Sequence, residues 1–178
     1  MKETDIAPSR FVVREVTDAE FTASARIIRN SFRTVAKEFG FTRENFPNHA
    51  SFFTVRQLRE LKDKGVRPFG LFLDGTQIGF VGIEEGEDAV YYIEKLAVLP
   101  AYRHEGGGKK LISFAIDYIR KRGGKKIGLG MMNEHKALRD WYQNLGFREV
   151  SIHKFPNLSF VFAWMERDVS PLKGLVAG

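Results

Sequence analysis

The sequence predicts a mixed α/β (α+β) fold in which a mostly antiparallel sheet of about six or seven strands is flanked by helices. Two patterns carry this prediction. The first is a meander of three short apolar runs, rich in β-branched and aromatic residues and separated by the turn signals Asp74-Gly75 and Gly86-Glu87-Asp88. The second is an apolar run, a triple glycine and a helical pattern followed by another apolar run, which is the order of one parallel crossover.

The N-terminal region is predicted to contain one strand and two helices. Phe11 to Glu15 has the composition of a strand, and Thr17 or Asp18 is a suitable cap for a helix that runs toward Phe32. Gly40 then interrupts the helical pattern. A second amphipathic pattern, with apolar residues every three positions from Phe52, predicts a helix that ends near Gly65.

The remaining elements follow in order along the chain. Three antiparallel neighbours are expected in "RPFGLFL", "QIGFVGIEE" and "AVYYIEKLAVLP". A helix then runs from the glycines to Gly123-Gly124, and "KKIGLGMM" forms a short strand. Asn133 introduces a last helix that stops at Gly146, and "FREVSIHKF" and "LSFVFAWMERD" form two strands around Pro156-Asn157.

Length and composition favour one domain over residues 1–178. A chain of 178 residues with 43% hydrophobic residues can bury a sizeable core. Its parts are a helical region at 11–66, a central core at 67–147 and a closing hairpin at 148–168. No segment approaches the roughly 20 apolar residues of a membrane span, and the N-terminus lacks an apolar leader, so we expect a cytoplasmic protein without a membrane partner.

Cysteine and histidine usage excludes several kinds of chemistry. The chain has no cysteine, which excludes disulfides, thiolate zinc sites and a cysteine nucleophile. The four histidines are scattered without the spacing of metal ligands, so we expect no metal: His49, His104, His135 and His153.

The chain is basic, with a net charge of +6 and a pI near 9.6. Such a balance suits a nucleic-acid surface, an anionic small ligand or simply a soluble basic surface. Many of the cations lie around the triple glycine in sequence, which predicts a positive field at that turn: Arg103, Lys109, Lys110, Arg120, Lys121, Arg122, Lys125 and Lys126. A solvated helix face is the alternative interpretation for Arg120 to Arg122.

The triple glycine predicts a phosphate site. A helix that begins after a glycine-rich turn exposes backbone N–H groups and the positive end of its dipole. Two familiar phosphate motifs do not fit. The P-loop requires glycine at the position of Arg103 and Ser or Thr at Lys110, and the dinucleotide fingerprint requires a third glycine at Leu111.

Two segments resemble the GNAT superfamily of N-acetyltransferases. "LAVLPAYRHEGGGKKL" is similar to its acetyl-CoA-binding motif, in which Arg/Gln-x-x-Gly-x-Gly/Ala follows a strand ending in Val-x-Pro. "NEHKALRDWYQNLGF" resembles its next segment, in which an Asn begins a helix that ends in Tyr-x-x-Leu-Gly-Phe. The resemblance covers Gly70 to Phe147, and residues 17–65 carry no such signature.

The resemblance implies acetyl-CoA as co-substrate and assigns its contacts. Backbone amides along the glycine turn, beside Arg103, would receive the pyrophosphate: His104, Glu105, Gly106, Gly107, Gly108 and Lys109. The main chain of Leu96, Ala97 and Val98 would hold the pantetheine arm and the thioester carbonyl, in a strand that the family commonly bulges and splays. Asn133 would bond the pantetheine arm, cap the next helix, or do both. Gly107 departs from the family's usual apolar residue, which predicts a looser turn.

Two residues are candidates for the chemistry of transfer. Tyr142 matches the family tyrosine that protonates the coenzyme A sulfur, and the alternative is a packing residue at the edge of the core. Glu94 lies among Tyr92, Ile93 and Leu96, where desolvation would raise the pKa of a carboxylic acid that acts as the base. The alternative for Glu94 is a solvated or ion-paired strand residue, with a water chain serving as the base.

The resemblance therefore implies an N-acetyltransferase that moves an acetyl group from acetyl-CoA directly to a primary amine of a small molecule or peptide, as a monomer or homodimer. A non-catalytic acyl-CoA sensor is the alternative, and a nucleic-acid-binding domain is disfavoured because no nucleic-acid motif is present. Six aromatic residues either wall an acceptor pocket or pack in the core: Phe32, Phe39, Phe41, Phe46, Phe52 and Phe53.

Overall fold

The computed structural model describes residues 10–169, which form one seven-stranded sheet and four α-helices. The strands are β1 (Phe11–Glu15), β2 (Arg67–Leu73), β3 (Thr76–Glu85), β4 (Val90–Val98), β5 (Lys126–Met132), β6 (Arg148–Lys154) and β7 (Val161–Asp168). The helices are α1 (Phe21–Phe39), α2 (Val55–Asp63), α3 (Gly107–Lys121) and α4 (Lys136–Asn144). The strand order across the sheet is β1-β2-β3-β4-β5-β7-β6.

One strand pair is parallel and the others are antiparallel. β4 and β5 run in the same direction, joined through α3, whereas every other neighbouring pair is antiparallel. This topology confirms the predicted mixed sheet with one parallel crossover. The predicted single domain over residues 1–178 includes residues 1–9 and 170–178, which lie outside the described residues, and it stays a prediction.

The first helix is longer than its sequence pattern indicated. Thr17 and Glu20 form a capping box around a 3-10 turn, and α1 follows directly and continues to Phe39 rather than stopping near Phe32. Gly40 ends the helix in the left-handed conformation, with φ of 68°, where the sequence predicted that the helical pattern is interrupted.

The turn between β2 and β3 is the tight hairpin that the sequence predicted. Asp74 and Gly75 have φ values of 48° and 81°, the pair of positive angles that matches the twist of the flanking strands.

The helices cover the sheet on both faces. The main core lies between the sheet and α3, whose Leu111, Ile112 and Ile119 are fully buried against strand residues such as Ile127. A second core lies beneath α1 and α2 and includes Phe21, Ile28, Phe80 and Ala97. Within residues 10–169, no helix is both long enough and apolar enough to cross a membrane.

Candidate active site

The parallel strands β4 and β5 separate along their length and open a cleft. They pair only where Val90, Tyr91 and Tyr92 face Lys126, Ile127 and Gly128. Beyond Tyr92 the ladder stops, although β4 continues to Val98 and β5 to Met132. The facing edges of both strands therefore offer main-chain groups to a ligand.

A bulge in β4 lies beside this cleft. Gly82 faces Glu94 and Phe80 faces Ala97, so Lys95 and Leu96 both stand opposite the single residue Val81. Lys95 takes the left-handed conformation, with φ of 56°. A bulge leaves backbone groups without a ladder partner, and such N–H groups suit an oxyanion. The predicted cofactor residues Leu96, Ala97 and Val98 thus lie on the cleft edge just after the bulge.

The glycine turn presents a run of unpaired amides at the start of α3. His104 and Gly106 have positive φ values of 66° and 88°, which turns successive N–H groups toward one concave side. The first helical bond is donated by Lys110 to Gly106. Within residues 10–169, the six amides from His104 to Lys109 have no acceptor. This is the geometry of an anion site at a helix N-terminus.

Two side chains pack against the glycines of this turn. A Cβ atom at Gly107 would lie 2.8 Å from Leu71, so Leu71 fills the space that a larger residue would occupy, and the turn is packed rather than loose. A Cβ atom at Gly108 would lie 3.2 Å from the Trp141 ring. Trp141 therefore borders the run of unpaired amides, a position that the sequence did not indicate.

Tyr142 is buried in the main core rather than at its edge. Its side chain is 5% exposed and packs edge-on against Trp141 and Phe147, with ring centroids 4.9 and 5.5 Å away. Burial raises the pKa of its phenol well above the usual range. The phenol is therefore protonated at neutral pH, although the same upward shift makes it a weaker proton donor.

A splayed parallel pair, a bulge and an amide nest occur here in one cleft. Residues 29–147, more than half of the chain, match the sequence profile of the acetyltransferase (GNAT) family. The chain belongs to the GNAT family. The prediction from the two motifs is confirmed.

Curated relatives carry related names. A probable N-acetyltransferase, camello, from Xenopus tropicalis is 30% identical over 88 residues, which are 48% of this chain and 40% of the relative. The Escherichia coli strain K12 protein YjgM, described as an uncharacterized N-acetyltransferase, is 28% identical over 149 residues, which are 82% of this chain and 87% of the relative. The chain thus spans about two fifths of the frog relative and most of the bacterial one.

Solved structures share the GNAT fold. The ribosomal-protein-S18-alanine N-acetyltransferase from Escherichia coli superposes with a TM-score of 0.72 at 18% identity, covering 93% of this chain and 98% of that one. An aminoglycoside 6′-N-acetyltransferase complexed with coenzyme A superposes with a TM-score of 0.66 at 15% identity, covering 90% and 98%. Both confirm the predicted fold.

Glu94 does not lie in the desolvated setting that was expected for a base. Its side chain is 32% exposed, and Lys95 Nζ is 3.2 Å from one carboxylate oxygen. The alternative, a solvated and ion-paired strand residue, describes its surroundings. The carboxylate lies next to the bulge, so its role as the base stays a prediction.

Arg103 contacts protein groups rather than pointing freely into the cleft. Its guanidinium donates to the Val98 carbonyl at 3.2 Å, to Thr34 Oγ1 at 3.0 Å and to the Ser31 carbonyl at 2.7 Å. Burial lowers the pKa of the guanidinium. Arg103 joins the glycine turn to α1, and its predicted contact with the cofactor stays a prediction.

The prediction that Asn133 caps α4 is wrong. The helix begins at Lys136, and its cap is His135, whose Nδ1 accepts from the Leu138 amide. The Asn133 side chain and carbonyl instead accept hydrogen bonds from Arg139. Asn133 directly follows β5, and its predicted contact with the pantetheine arm stays a prediction.

The cations that were predicted to surround the glycine turn lie in two separate places, one at each end of α3. α3 is 15 residues long, so the cations at its far end lie about 20 Å from its N-terminus. Arg103, Lys109 and Lys110 remain beside the turn, whereas Arg120 to Lys126 do not. Among the described residues, no group of three or more His, Cys, Asp or Glu side chains is placed to hold a metal ion.

Aromatic rings form one face of the cleft, opposite to α3. Tyr92 and Trp164 lie 5.4 Å apart across Gly128, and the Phe162 ring covers Gly130 so closely that a Cβ atom would overlap it. The sequence missed this surface. The signal was the alternating glycines of "KIGLGMM", since glycines on one side of a strand allow rings to cross it.

His49 is a buried histidine that sequence analysis treated as incidental. It is 8% exposed, and the rings of Phe32, Phe41 and Phe46 surround it at centroid distances of 5.0 to 6.0 Å. Its Nδ1 accepts from the Ser51 amide, so the neutral ring carries its proton on Nε2. Burial, and then the charge of Lys95, lowers the pKa of His49 to about 4.

Proposed function

We propose that this GNAT member is an N-acetyltransferase that moves the acetyl group of acetyl-CoA directly to a primary amine of a small molecule or peptide. The observation that carries the proposal is the run of six unpaired amides, from His104 to Lys109, at the N-terminus of α3 and beside the splayed strands. Those amides suit the pyrophosphate of coenzyme A. The pantetheine arm then lies along the open edge of β4.

The chemistry needs a polarised thioester carbonyl and a proton for the departing thiolate. The N–H groups that the bulge frees near Leu96 are placed in advance, which is the requirement for stabilising an oxyanion. Tyr142 supplies the proton: its phenol stays protonated, and its ring is held between Trp141 and Phe147.

The amine must lose a proton before it attacks. A lysine-like amine has a pKa of about 10.4, so it arrives protonated at neutral pH. Glu94 takes this proton, directly or through a water chain beside Tyr92. The aromatic face formed by Tyr92, Phe162 and Trp164 favours the arriving ammonium through cation–π attraction.

The structural neighbours support an amine as acceptor without choosing one. As their names state, one acts on a ribosomal-protein alanine and the other on an aminoglycoside, which are a protein amine and a small-molecule amine. No step of the proposed transfer uses a metal. We expect the reaction to take place in the cytoplasm, with the chain acting as a monomer or homodimer.

One observation favours a second candidate function. The Glu94 carboxylate is paired with Lys95 and partly exposed, which is not the setting of a tuned catalytic base. A non-catalytic acyl-CoA sensor would need the amide nest but neither Glu94 nor Tyr142.

An acetyl-CoA thiol-release assay tests the proposal. The amine panel contains peptides with a free α-amine, a lysine peptide, a polyamine and an aminoglycoside, and mass spectrometry identifies the acetylated product. We expect release that depends on an amine and falls in Glu94→Gln, with the exposed Glu87→Gln as the matched control. Tight acetyl-CoA binding with no release on any amine would support the sensor instead.

A further inference from the structure

A second cationic site lies on the acceptor side of the fold, away from the glycine turn. An open groove of about 530 Å³ runs between α1 and the segment that leads to α2. We call it the basic groove, and its defining residues are Arg29, Arg33, Lys37, Arg43, Ser51 and Phe52. Among the described residues, no acidic side chain lines it.

The charges of the basic groove are not neutralised within the described part of the chain. Between Glu20 and Glu38 the sequence has no Asp or Glu, so Arg29, Arg33 and Lys37 recur every four residues with no acid one helical turn away. Within residues 10–169, the four cations of the groove form no ion pair. Helices α2, α3 and α4 each contain an internal pair: Arg56–Glu60, Arg120–Asp117 and Lys136–Asp140.

This arrangement differs from an ordinary solvated helix face. Like charges four residues apart destabilise a helix, whereas an alternating pattern would stabilise it. Two of the groove's guanidiniums also contact the segment that leads to α2. Arg29 donates to the Phe53 carbonyl at 2.7 Å, and Arg43 lies 4.7 Å from the centre of the Phe52 ring. Guanidiniums are suited to carboxylate or phosphate groups because their planar set of donors matches two oxygens at once, and the bond of Arg29 orients its remaining donors.

The basic groove is separate from the predicted coenzyme A site but adjoins the bulge. On α1, Arg29 and Arg33 lie roughly opposite Ser31, whose carbonyl holds Arg103 at the glycine turn. On the other side, Ser51 lines the groove and contacts His49, while Lys95 of the bulge lies 5.9 Å from the Phe53 ring. Residues 49–53 thus contact both the groove, through Ser51, and the bulge, through Phe53.

We propose that the basic groove binds the acidic side chains of a peptide acceptor whose amine lies in the cleft, an inference that rests on the proposed acetyltransferase function. The amine meets the carboxylate of Glu94 and the aromatic face, and the acidic residues pass over residues 49–53 into the groove. The enzyme is thereby selective for amine-bearing chains with clustered negative charge. Carboxylates and phosphates share this chemistry, so acidic and phosphorylated peptides are both candidates.

The experiment compares octapeptides with the same first two residues followed by four Asp, four Asn or four phosphoserine residues. Binding to the full chain, saturated with coenzyme A to occupy the glycine turn, is measured by fluorescence anisotropy. We expect the Asp peptide to bind at least about tenfold more tightly than the Asn peptide. The double variant Arg33→Glu with Lys37→Glu should reduce that preference to about twofold or less. Comparing the affinities of the phosphoserine and Asp peptides shows whether the groove prefers phosphate or carboxylate groups.

Two exposed lysines near the end of α3 provide the matched control, because Lys121→Glu with Lys125→Glu makes the same change in net charge. The control should keep the full preference for Asp over Asn. Equal binding of the Asp and Asn peptides by the parent, or equal loss in both double variants, would overturn the inference. A single-stranded RNA is tested as a competitor. If the RNA displaces the Asp peptide from the parent and binds the groove variant weakly, the groove is a nucleic-acid surface and the inference is overturned.

Turnover separates this inference from the proposed function. We expect the Asp peptide to be acetylated with a KM at least about fivefold below that of the Asn peptide, and the groove variant to remove that difference without changing kcat. Equal KM values with good turnover would overturn the groove's role and leave the acetyltransferase intact. Tight binding of the Asp peptide without acetylation of any amine would overturn the proposed function instead.

Discussion

The guanidinium of Arg103 lies 2.7 Å from the main-chain carbonyl of Ser31, a contact that ties the glycine turn to α1. A second bond from the same guanidinium reaches Thr34, one turn further along the helix. The turn is the predicted cofactor site, and α1 belongs to the region predicted to face the acceptor. One side chain therefore couples the position of the glycine turn to that of α1.

Arg103→Lys should separate tethering from phosphate binding. Lysine keeps the positive charge but cannot donate to Val98, Thr34 and Ser31 together. We expect the free energy of unfolding in urea to fall by about 1–2 kcal/mol and the affinity for coenzyme A to weaken because the turn is less well positioned. Lys109→Met is the control, because it removes a positive charge at the turn but no hydrogen bond between the turn and α1. Unchanged stability in Arg103→Lys would show that the three bonds contribute nothing.

The elements of the fold could be predicted because local signals and tertiary packing agreed. Asp74-Gly75 supplies the two positive φ angles of a two-residue hairpin turn, and β2 has the bounds that its apolar run indicated. α1 was underestimated because the helical pattern after Phe32 mixes cations with apolar residues, and its extension depends on packing against Phe41 and Phe160.

The site could be predicted only where backbone geometry follows from residue type. Glycines and a helix start indicate an amide nest from sequence alone. The environment of a side chain, in contrast, depends on which residues meet in space. The partner of Glu94 is its own neighbour Lys95, the cap of α4 is His135 rather than Asn133, and Tyr142 is in the core. None of these contacts follows from periodicity.

Tyr142→Phe should reduce turnover while leaving the fold intact. The phenyl ring fills the same space, and loss of a hydroxyl that makes no hydrogen bond within the described residues should change the free energy of unfolding by less than about 0.5 kcal/mol. If the hydroxyl protonates the thiolate, kcat on the best amine should fall by roughly 10²-fold or more with little change in coenzyme A affinity. Pre-steady-state kinetics establishes that chemistry limits kcat, and an unchanged rate under that condition would make Tyr142 a packing residue.

Trp141 should report on occupancy of the amide nest. The chain has two tryptophans, so Trp164→Phe leaves Trp141 as the sole indole, against the position of Gly108. We expect 3′-phospho-ADP, the nucleotide half of coenzyme A, to change its fluorescence in a saturable way. The complementary variant Trp141→Phe leaves Trp164 on the aromatic face, where the nucleotide half should have no effect. A response from Trp164 but not Trp141 would place the phosphates elsewhere.

His49 should make the stability of the protein depend on pH between about 4 and 6.5. Its pKa is lowered from 6.5 to about 4 in the folded protein, so the unfolded chain binds the extra proton within that window and folding is favoured above it. At pH 5 the loss relative to pH 7.5 should be on the order of 2 kcal/mol, measured as the free energy of unfolding in urea. His49→Asn keeps an acceptor for the Ser51 amide without titrating, and it should remove most of this loss. The exposed His153→Asn serves as the control and should retain it. Equal pH profiles for His49→Asn and the parent would show that His49 is protonated as readily in the folded protein as in the unfolded chain.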